Sequence, residues 1–452
     1  MKTAYCGVPV PKGSRIIWEN GKLIVPDDPI IVKFAGDGIG PEISDASDAI
    51  SDVAVELAYN GKKKVVLYRL PASKEAFARF GDYLPAEALE AMKYFSFSEK
   101  GPWETPSSGG RESSTVKARK KLVMYQNIRP VFYLDGVPSN MKYPERINLV
   151  LFRENTEGGY GGIEVKAGSE KGRKLAKFLR EELGFTEELG YSVPDDAGLG
   201  ITVATELATK RLARAAFKFA LAQRRKVVTI VAKGNIKKFT DGAFLLWAME
   251  VAKEEFGDFM ITEDEFKNKY GYKVPDGKFM VNYRIPDAML AELIRRPEQY
   301  SVILTNNDLG DMISDMIAEQ IGGVGVAGGE NLGDLIALYE AIHGTADDIA
   351  GKGIANPMSL LLSRTMMFHR WGWHEAADLI IEGLRRTIAD RTVTGDLASK
   401  MLRPKAKKVL NTKEFAAAVI AHMRAIKNPK LTATRVRKCR AVTGRCKCAK
   451  AK

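Results

Sequence analysis

The sequence predicts an α/β fold, and two observations support that prediction. Short runs rich in β-branched residues at 30–34, 148–152, 226–231 and 301–305 alternate with longer segments of helical periodicity. This alternation of strands and helices is typical of α/β proteins. The 452 residues are 45% hydrophobic and 28% charged, which allows a large core and more than one structural unit.

Each of these predicted strands is followed by polar residues. The strand at 30–34 runs into a glycine-rich segment at 36–42 and a helix at about 42–57, and the other three run into 153–155, 233–235 and 306–308. Ligands of open α/β sheets bind beyond the carboxyl ends of the strands, so we expect a site there. The glycines at 36–40 have the spacing G-x-G-x-G, and no acidic residue ends a second strand about 20 residues later. The segment therefore predicts no Rossmann domain.

The net charge of +13 is concentrated at the end of the chain. Ten Lys or Arg and no acidic residue lie in 425–452, which leaves +3 for the first 424 residues (13 − 10 = 3). This composition predicts a disordered basic tail. Ten cations could bind nucleic acid or another anionic surface, but the tail has no Phe, Tyr or Trp on which bases could stack. We therefore expect no nucleic-acid partner.

The cysteines and the lengths of the apolar runs limit the classes of protein to which this chain could belong. The chain has four cysteines, Cys6, Cys439, Cys446 and Cys448, without a C-x-x-C spacing, so the sequence predicts no structural zinc site. The three in the tail are candidates for disulfides. No run reaches the ~18 apolar residues of a membrane helix, and no signal peptide is evident, so we expect a cytoplasmic protein.

Two carboxylates, Asp311 and Asp315, are four residues apart and so share one face of a predicted helix. An acidic helix face is often only solvated. Here the polar segment 306–308 precedes the pair and favours a Mg²⁺ or Mn²⁺ site that needs one further carboxylate from elsewhere.

Three arginines, Arg119, Arg129 and Arg153, lie near the ends of successive predicted elements, and Ser113 and Thr115 lie in the polar region before the first of them. Guanidinium groups bind carboxylates in a bidentate manner. Convergence of the three would indicate a small substrate with several carboxylates. The alternative is that each arginine pairs with a nearby glutamate at the surface.

Tyr160 lies between glycines at 158–162, and Lys233 follows a predicted strand. Together they are a plausible acid–base pair, although each residue alone is more often structural. The segment 343–351 has two glycines and several small residues, which allow a ligand to approach the backbone closely. Its acidic pair, Asp347 and Asp348, is either part of a cofactor site or the ordinary charge of a helix start.

Several motifs, taken in chain order, resemble those of the β-decarboxylating dehydrogenases, the isocitrate/isopropylmalate dehydrogenase family, and most of all its prokaryotic homodimeric isocitrate dehydrogenases. They lie at 36–42, 128–130, 152–157, 233–236, 310–315 and 343–346, and the resemblance covers about residues 25–423. It implies a non-Rossmann α/β fold with two domains and a clasp. The implied parts are a large domain (1–124 and 320–426), a small domain (125–157 and 203–319), a clasp-like insert (158–202) and the basic tail (427–452).

The resemblance implies oxidative decarboxylation of isocitrate to 2-oxoglutarate and CO₂. Tyr160 and Lys233 are the implied acid–base residues, and Asp287, Asp311 and Asp315 the implied ligands of Mg²⁺ or Mn²⁺. Lys233 and Asp287 are expected to reach the site from the second subunit of a homodimer. The residues implied to bind the substrate are Ser113, Thr115, Arg119, Arg129, Arg153, Tyr160, Lys233 and Asn235. The residues implied to bind the cofactor are Thr105, Glu340, His343, Gly344, Thr345, Ala346, Asp348, Ile349, Asn356 and Asp396.

The cofactor positions depart from the pattern of the NADP-dependent members. Those members have Lys and Tyr where this chain has Asp348 and Ile349, and Tyr and Arg where it has Gly395 and Ser399. A carboxylate ~4 Å from a 2′-phosphate would repel it by up to ~4 kcal/mol per charge at an effective dielectric constant of ~20. We therefore predict a preference for NAD, with NADP as the alternative.

A further departure lies at Thr115, where the family usually has Asn. Thr can still donate one hydrogen bond, so we expect a change in affinity or cofactor placement and the same reaction. Sister enzymes acting on homoisocitrate or 3-isopropylmalate are the nearest alternative. The hydroxyl-rich segment 113–115 suits a third carboxylate better than an alkyl group.

Overall fold

One large mixed sheet organises the chain. The computed structural model describes residues 2–105, 112–185, 190, 192–402 and 404–426. The tail at 427–452, with three of the four cysteines, lies outside these residues. The strands are β1 Ala4–Tyr5, β2 Val8–Pro9, β3 Ile17–Glu19, β4 Lys22–Ile24, β5 Ile30–Phe34, β6 Val66–Arg69, β7 Phe97–Lys100, β8 Gln126–Phe132, β9 Asn148–Glu154, β10 Glu164–Val165, β11 Leu199–Gly200, β12 Val227–Val231, β13 Met260–Thr262, β14 Phe279–Arg284, β15 Val302–Thr305, β16 Gly328–Leu332, β17 Ala337–Ala341, β18 Thr392–Thr394 and β19 Lys408–Leu410.

Eleven of these strands form the central sheet, in the order β13-β14-β12-β15-β9-β8-β16-β17-β7-β5-β6. The first five are parallel to one another. The last four are also parallel, and β8 and β16 join the two groups through antiparallel pairings. The two parallel groups therefore run in opposite directions. The predicted α/β class is confirmed, while its division into two domains remains a prediction.

Fourteen α-helices occur in the described residues, most of them packed on the central sheet. They are α1 Gly40–Tyr59, α2 Lys74–Phe80, α3 Ala86–Phe95, α4 Ser114–Lys121, α5 Glu170–Lys177, α6 Glu206–Ala222, α7 Asp241–Phe256, α8 Glu263–Asn268, α9 Pro286–Arg295, α10 Asn307–Gln320, α11 Met358–Trp371, α12 His374–Ala389, α13 Gly395–Ala398 and α14 Thr412–Arg424. Helices α1, α11, α12 and α14 pack against one another, and α6 packs against α7. One continuous hydrophobic cluster, which includes Ile50, Phe217, Leu361 and Phe415, joins these two groups.

The strand predictions agree with the structure to within two residues, and the largest difference matters for function. Strand β9 extends to Glu154, so Arg153 lies on the strand and not in the loop after it. The helix expected at about 42–57 is α1, which begins two residues earlier, at Gly40, with Pro41 in its first turn.

Alternation along β8 and β9 gives the sheet two different faces at its centre. Arg153 pairs with Asn127, and Asn127 pairs with Asn331 on β16, so these three side chains share a face, as does Arg129 two residues along β8. We call this the front face. Ile128 pairs with Phe152 and with Glu330, and these side chains point to the opposite, back face.

The glycine-rich segment after β5 is a site of close backbone packing. A Cβ atom on Gly38 would lie 2.1 Å from the carbonyl oxygen of Thr345, and Gly38 has a φ of +57°. The amide of Ile39 donates to the same carbonyl, with an N···O distance of 2.9 Å. These glycines therefore serve the contact between the 36–40 and 343–346 segments, in agreement with the absence of a Rossmann fingerprint.

The two ends of the insert at 158–202 lie next to each other in the structure. The amide of Gly158 donates to the carbonyl of Val203 at 3.0 Å, and between them β10 and β11 form a separate two-stranded sheet. Helix α5 and a π-helical turn at Phe178–Glu182 complete its described part. No helix in the described part of the chain is both long and apolar enough to cross a membrane.

Candidate active site

The three predicted arginines converge, and all are buried. Arg129 and Arg153 project from adjacent strands on the front face, and their side chains are 6% and 1% exposed. Both reach Asp311: an oxygen of its carboxylate lies 3.4 Å from Arg129 Nη2 and also accepts a short bond from Arg153 Nη1. Arg129 Nη1 also donates to Asp315 at 2.7 Å. The interpretation of separate surface ion pairs is therefore excluded for these two arginines.

Arg119 joins this group from α4 and pairs with Glu340. Its Nη2 atom lies 2.7 Å from Glu340 Oε1, and Lys100 Nζ lies 2.8 Å from Oε2 of the same carboxylate. Asn331 donates to Oε1 at 2.7 Å. Burial alone would raise the pKa of Glu340, but the two cations lower it well below its usual range. The residues Arg119, Arg129, Arg153, Asp311 and Asp315 are called the arginine cluster below.

Asp311 and Asp315 lie one turn apart on α10, as their spacing predicts. Although burial favours the neutral form, Arg153 and Arg129 lower the pKa of Asp311, so it is ionised at neutral pH. Burial raises the pKa of Asp315, because Arg129 offsets only part of the desolvation. Burial and the neighbouring charge of Arg129 lower the pKa of Arg153 to about 10.

The start of α10 shapes the cluster. Asn306 caps the helix by accepting from the amide of Leu309 at 3.1 Å. Asn307 accepts two bonds from the guanidinium of Arg153, at 2.9 and 2.7 Å. Gly310 has no side chain because a Cβ there would lie 2.6 Å from Arg153 Cγ. The polar segment 306–308 therefore positions an arginine and a helix in addition to preceding the acidic pair.

Tyr160 lies on the same cluster. Its hydroxyl donates to Asp311 Oδ2 at 2.6 Å, and the guanidinium carbon of Arg153 lies 4.9 Å from the centre of its ring. Burial and the hydrogen bond to Asp311 raise the pKa of Tyr160, so its hydroxyl stays protonated at neutral pH. Asp308 holds the preceding turn by accepting from the amide of Gly159 at 2.9 Å.

The serine and threonine predicted to bind substrate lie at the start of α4. Ser113 precedes the first residue of the helix, and its hydroxyl accepts from Thr105 Oγ1 at 3.0 Å. Thr115 is half-buried on the first turn of the helix that carries Arg119. The part of this loop at 106–111 lies outside the described residues.

Lys233, Asn235 and Asp287 are apart from the arginine cluster in one chain. Lys233 follows β12 and forms an ion pair with Asp287 near the start of α9, and Asn235 is exposed. Within the described part of the chain, no ion pair or hydrogen bond joins them to Asp311 or Asp315, and no three His, Cys, Asp or Glu are placed to bind one metal ion.

His343 is a half-buried side chain of the predicted cofactor loop. Its Nδ1 atom lies 2.9 Å from the carbonyl of Gly344, and burial lowers its pKa, so it is neutral at pH 7. Its Nε2 atom is buried without a hydrogen-bond partner among the described residues. Ala346 has a φ of +45°, and Asp348 is exposed, while Ile349 packs against the hydrophobic cluster that includes Ile39 and Ile43.

Asn356 and Asp396 lie together near this loop. Asn356 Nδ2 donates to Asp396 Oδ2 at 2.9 Å, and Asp396 lies close enough to His343 to affect its titration. Gly325 completes the group, because a Cβ there would lie 3.6 Å from Asp396 and 3.8 Å from Asn356. The structure therefore groups three of the predicted cofactor residues, whereas Glu340 belongs with Arg119 and Lys100.

Comparison with known proteins identifies the family. A model of the isocitrate/isopropylmalate dehydrogenase family matches residues 30–419. The chain belongs to the isocitrate/isopropylmalate dehydrogenase family. An isocitrate dehydrogenase [NADP] of Archaeoglobus fulgidus is 44% identical over 418 residues, which are 92% of this chain and 98% of the relative. One of Pseudomonas aeruginosa is 43% identical over 427 residues, which are 93% and 100% of the two chains.

Solved structures agree with the fold. The crystal structure of isocitrate dehydrogenase from Methylococcus capsulatus superimposes with a TM-score of 0.71 and 32% identity, over 88% of this chain and 99% of that one. The TT0538 protein of Thermus thermophilus has a TM-score of 0.73 and 29% identity, over 93% and 73%. The predicted family and its non-Rossmann α/β fold are therefore confirmed.

The predicted preference for NAD is wrong. Relatives of this family that are 40–44% identical over about nine-tenths of the chain are named for NADP. The electrostatic argument fails because Asp347 and Asp348 are both exposed. In water the repulsion of two unit charges ~4 Å apart is only ~1 kcal/mol, and salt screens it further.

The prediction from sequence missed several residues that hold the side chains of the site in place. Lys100 ends β7 and pairs with Glu340, Asn307 holds Arg153, and Asn331 joins Glu340 to Asn127. The signal for Lys100 was present as two consecutive charged residues at the end of a short strand, Phe97–Lys100. Asn331 carried no such signal, because its role depends on pairing between β16 and β8.

Proposed function

We propose that this chain catalyses the oxidative decarboxylation of isocitrate to 2-oxoglutarate and CO₂, with reduction of NADP and with a divalent cation. The observation that carries the proposal is the arginine cluster, in which buried Arg129 and Arg153 pair with two carboxylates one helical turn apart. Buried Arg119 pairs with Glu340 and is near enough to Asp311 to help lower the pKa of that carboxyl. The names of the relatives, isocitrate dehydrogenase [NADP], supply the substrate and the cofactor.

The charges of the cluster suit isocitrate, which has three carboxylates. Arg119 and Arg129 each keep a buried Nε atom without a partner among the described residues, which leaves donor capacity for a ligand. Substrate carboxylates take over the guanidinium groups through charge-assisted hydrogen bonds. This exchange frees Asp311 and Asp315 from Arg153 and Arg129.

The freed carboxylates would hold the cation. Asp311 and Asp315 are two hard oxygen donors, and Asp287 of the partner subunit is the third that the site needs. A bound Mg²⁺ or Mn²⁺ supplies Lewis-acid polarisation of the substrate's hydroxyl and carboxylate oxygens. The pairing of Lys233 with Asp287 at the surface of one chain supports the view that both act on a second chain.

Two residues move protons in the proposed reaction. Lys233 accepts the proton of the C2 hydroxyl, directly or through water. Tyr160 protonates the carbon that loses CO₂, and its raised pKa keeps that proton available at neutral pH. The hydrogen bond from Tyr160 to Asp311 orients the hydroxyl toward the arginine cluster.

An exposed apolar surface supports a homodimer. Large apolar side chains soon after Lys233 and on α10 are exposed, with Phe239 92% exposed, Ile236 69% and Met312 62%. Contiguous exposed apolar patches mark protein interfaces. A twofold dimer would bury the same surface on both chains.

The cofactor occupies the loop at 343–346 in this proposal. The unpartnered Nε2 atom of His343 and the pair Asn356–Asp396 supply hydrogen-bonding groups there. Ala346 adopts positive φ, which keeps the backbone of the loop close to the glycines at 36–40. NADP binding is tested by kinetics with the native chain.

Initial rates test the reaction directly. We expect formation of NADPH and 2-oxoglutarate from isocitrate, NADP and Mg²⁺, and no activity in EDTA until Mg²⁺ or Mn²⁺ is restored. Homoisocitrate and 3-isopropylmalate serve as controls under the same conditions. A higher kcat/KM with either of them, or full activity without a divalent cation, would contradict the proposal.

A mixing experiment tests the shared site. Lys233→Met and Arg153→Gln should each keep only a small residual activity alone, because each removes a group from every site. If Lys233 acts on the partner, half of the mixed dimers are hybrids with one intact site of two, and about one quarter of the native activity returns. An equimolar mixture that is refolded together and stays at the residual activity would place both residues in one chain's site.

A further inference from the structure

A cavity of about 810 Å³ lies on the back face of the central sheet. Its walls come from the β3–β4 hairpin, the carboxyl end of α6 and the carboxyl end of α11. A second cavity of about 310 Å³ shares Trp18, Ile128, Phe219 and Arg370 with it. The volume of the larger one is within the range of small-molecule sites, roughly 300–1,000 Å³.

This cavity is separated from the active-site residues by one layer of backbone. Ile128 lines it, and the next residue, Arg129, points to the front face. Phe152 lines the smaller cavity, and the next residue is Arg153. None of the residues given a role in the proposed reaction lines the cavity, so it is a separate site and not an extension of the first.

Three buried polar atoms on its walls lack hydrogen-bond partners in the described part of the chain. They are the indole nitrogens of Trp18 and Trp371 and the Oε1 atom of Gln223. Trp371 is 6% exposed and Gln223 8% exposed, so solvent reaches neither side chain freely. An unmade bond of a buried polar group is unfavourable, and such groups commonly meet a ligand or an ordered water. The walls therefore offer two donors and one acceptor.

The charge around the cavity is positive. Lys22 and Lys218 line it with exposed side chains, and Lys218 also lies close enough to Glu255 to help lower the pKa of that carboxyl. Its one carboxylate, Glu330, is already paired with Arg370 at 3.0 Å. A ligand with an anionic group thus finds two exposed ammonium groups at this cavity.

We propose that the back-face cavity is a binding site for a small aromatic organic anion that also carries an N–H or O–H donor. The aromatic body would pack on Trp18, Phe219 and Ile128. Its anionic group would be attracted by Lys22 and Lys218 and accept from the indole nitrogens. Its donor would satisfy Oε1 of Gln223. The proposal does not depend on the reaction proposed for the front face.

Titration calorimetry with two matched probes tests the site in the full chain. Indole-3-acetate has an aromatic body, a carboxylate and an N–H, and tryptamine has the same ring with an ammonium group in place of the carboxylate. We expect one indole-3-acetate per chain with a dissociation constant on the order of 1 mM, which is usual for a ligand of this size. Tryptamine should bind at least about tenfold more weakly, because its charge has the wrong sign.

Charge reversal locates the binding. The double variant Lys22→Glu/Lys218→Glu alters two exposed side chains and should lower the affinity for indole-3-acetate by about tenfold or more. Lys171→Glu, on an exposed part of the insert, is the matched control and should leave it unchanged. Equal affinity for both probes, no binding of either probe, or equal binding by the double variant would overturn the proposal.

A chain ending at residue 426 serves as the last comparison. It should bind indole-3-acetate with the affinity of the full chain, since the basic tail carries the same sign of charge as Lys22 and Lys218. If only the shortened chain binds the probe, the tail occupies the cavity and the proposal of a small-molecule ligand fails.

Discussion

The two faces of the central sheet differ in how their polar groups are matched. On the front face, Arg129 and Arg153 each lie within hydrogen-bond distance of the carboxylate of Asp311. On the back face, one residue away along the same strands, Ile128 and Phe152 line cavities. Buried charges are tolerated only when they are paired, so the front face must be tightly packed. Apolar and indole groups impose no such requirement, and the back face can keep an open space.

The largest effect expected from this comparison is at Glu340, which pairs with Arg119 and Lys100 on the front face. Glu340→Gln leaves two buried cations without a carboxylate and should lower the free energy of unfolding by about 3–5 kcal/mol at pH 7. Urea unfolding at several pH values measures this loss. The depressed pKa of Glu340 means that its contribution is complete above its unfolded pKa of about 4.3 and is lost as the pH falls through the folded pKa.

The difference between the native chain and Glu340→Gln should therefore shrink below about pH 4. Glu330→Gln is the matched control, because it breaks the pair between Glu330 and Arg370 near the back face. Its free energy of unfolding is measured at the same pH values. A pH-independent difference for Glu340→Gln would show that the carboxylate charge is not the cause of its effect.

The second effect separates activity from stability. Arg153→Gln on the front face should lower kcat/KM for isocitrate by roughly 10²–10³-fold. The variant loses the buried charge pair with Asp311 and the guanidinium that is proposed to bind a carboxylate of the substrate. Arg370→Gln near the back face removes a more exposed guanidinium, which is paired with Glu330, and should leave kcat/KM within a few-fold of the native value. Equal losses in the two variants would mean that Arg153 acts only through stability.

A third effect concerns Tyr160, whose hydroxyl donates to Asp311. Tyr160→Phe should reduce kcat by about 10²-fold and change KM little, since a general acid contributes in the transition state. Because the pKa of Tyr160 is raised, deprotonation of its hydroxyl should lower the native activity only above pH 10. This alkaline decline should be absent in the variant, which has no hydroxyl to deprotonate. Full activity of Tyr160→Phe at neutral pH would remove it from the proton transfer.

The same contrast explains what sequence could predict. The strand order along the chain, the i and i+4 pair Asp311–Asp315 and the motif at 343–346 are local patterns. They were enough to predict the fold class and to name candidate site residues. The partners of Glu340 and Asn331 come from strands that are neighbours only after β8 and β16 have paired. Exposure is also invisible in a motif, which is why Asp348 led to the wrong cofactor.

The smallest expected effect is on the free energy of unfolding, and it comes from a comparison of two buried amide side chains. Asn331 on the front face makes four hydrogen bonds, to Asn127, Asn155, Glu340 and the carbonyl of Leu338. Gln223 on the back face leaves Oε1 without a partner in the described residues.

Replacing a buried polar group that already lacks a partner removes a desolvation penalty, so Gln223→Leu should change the free energy of unfolding by at most about 1 kcal/mol and can be stabilising. Asn331→Leu leaves several partners unsatisfied and should cost about 2–4 kcal/mol by the same rule. Urea unfolding of the two variants measures both, with activity as a check on folding. A loss at Gln223 as large as that at Asn331 would mean that its carbonyl is already matched, and the cavity would then offer a ligand no acceptor.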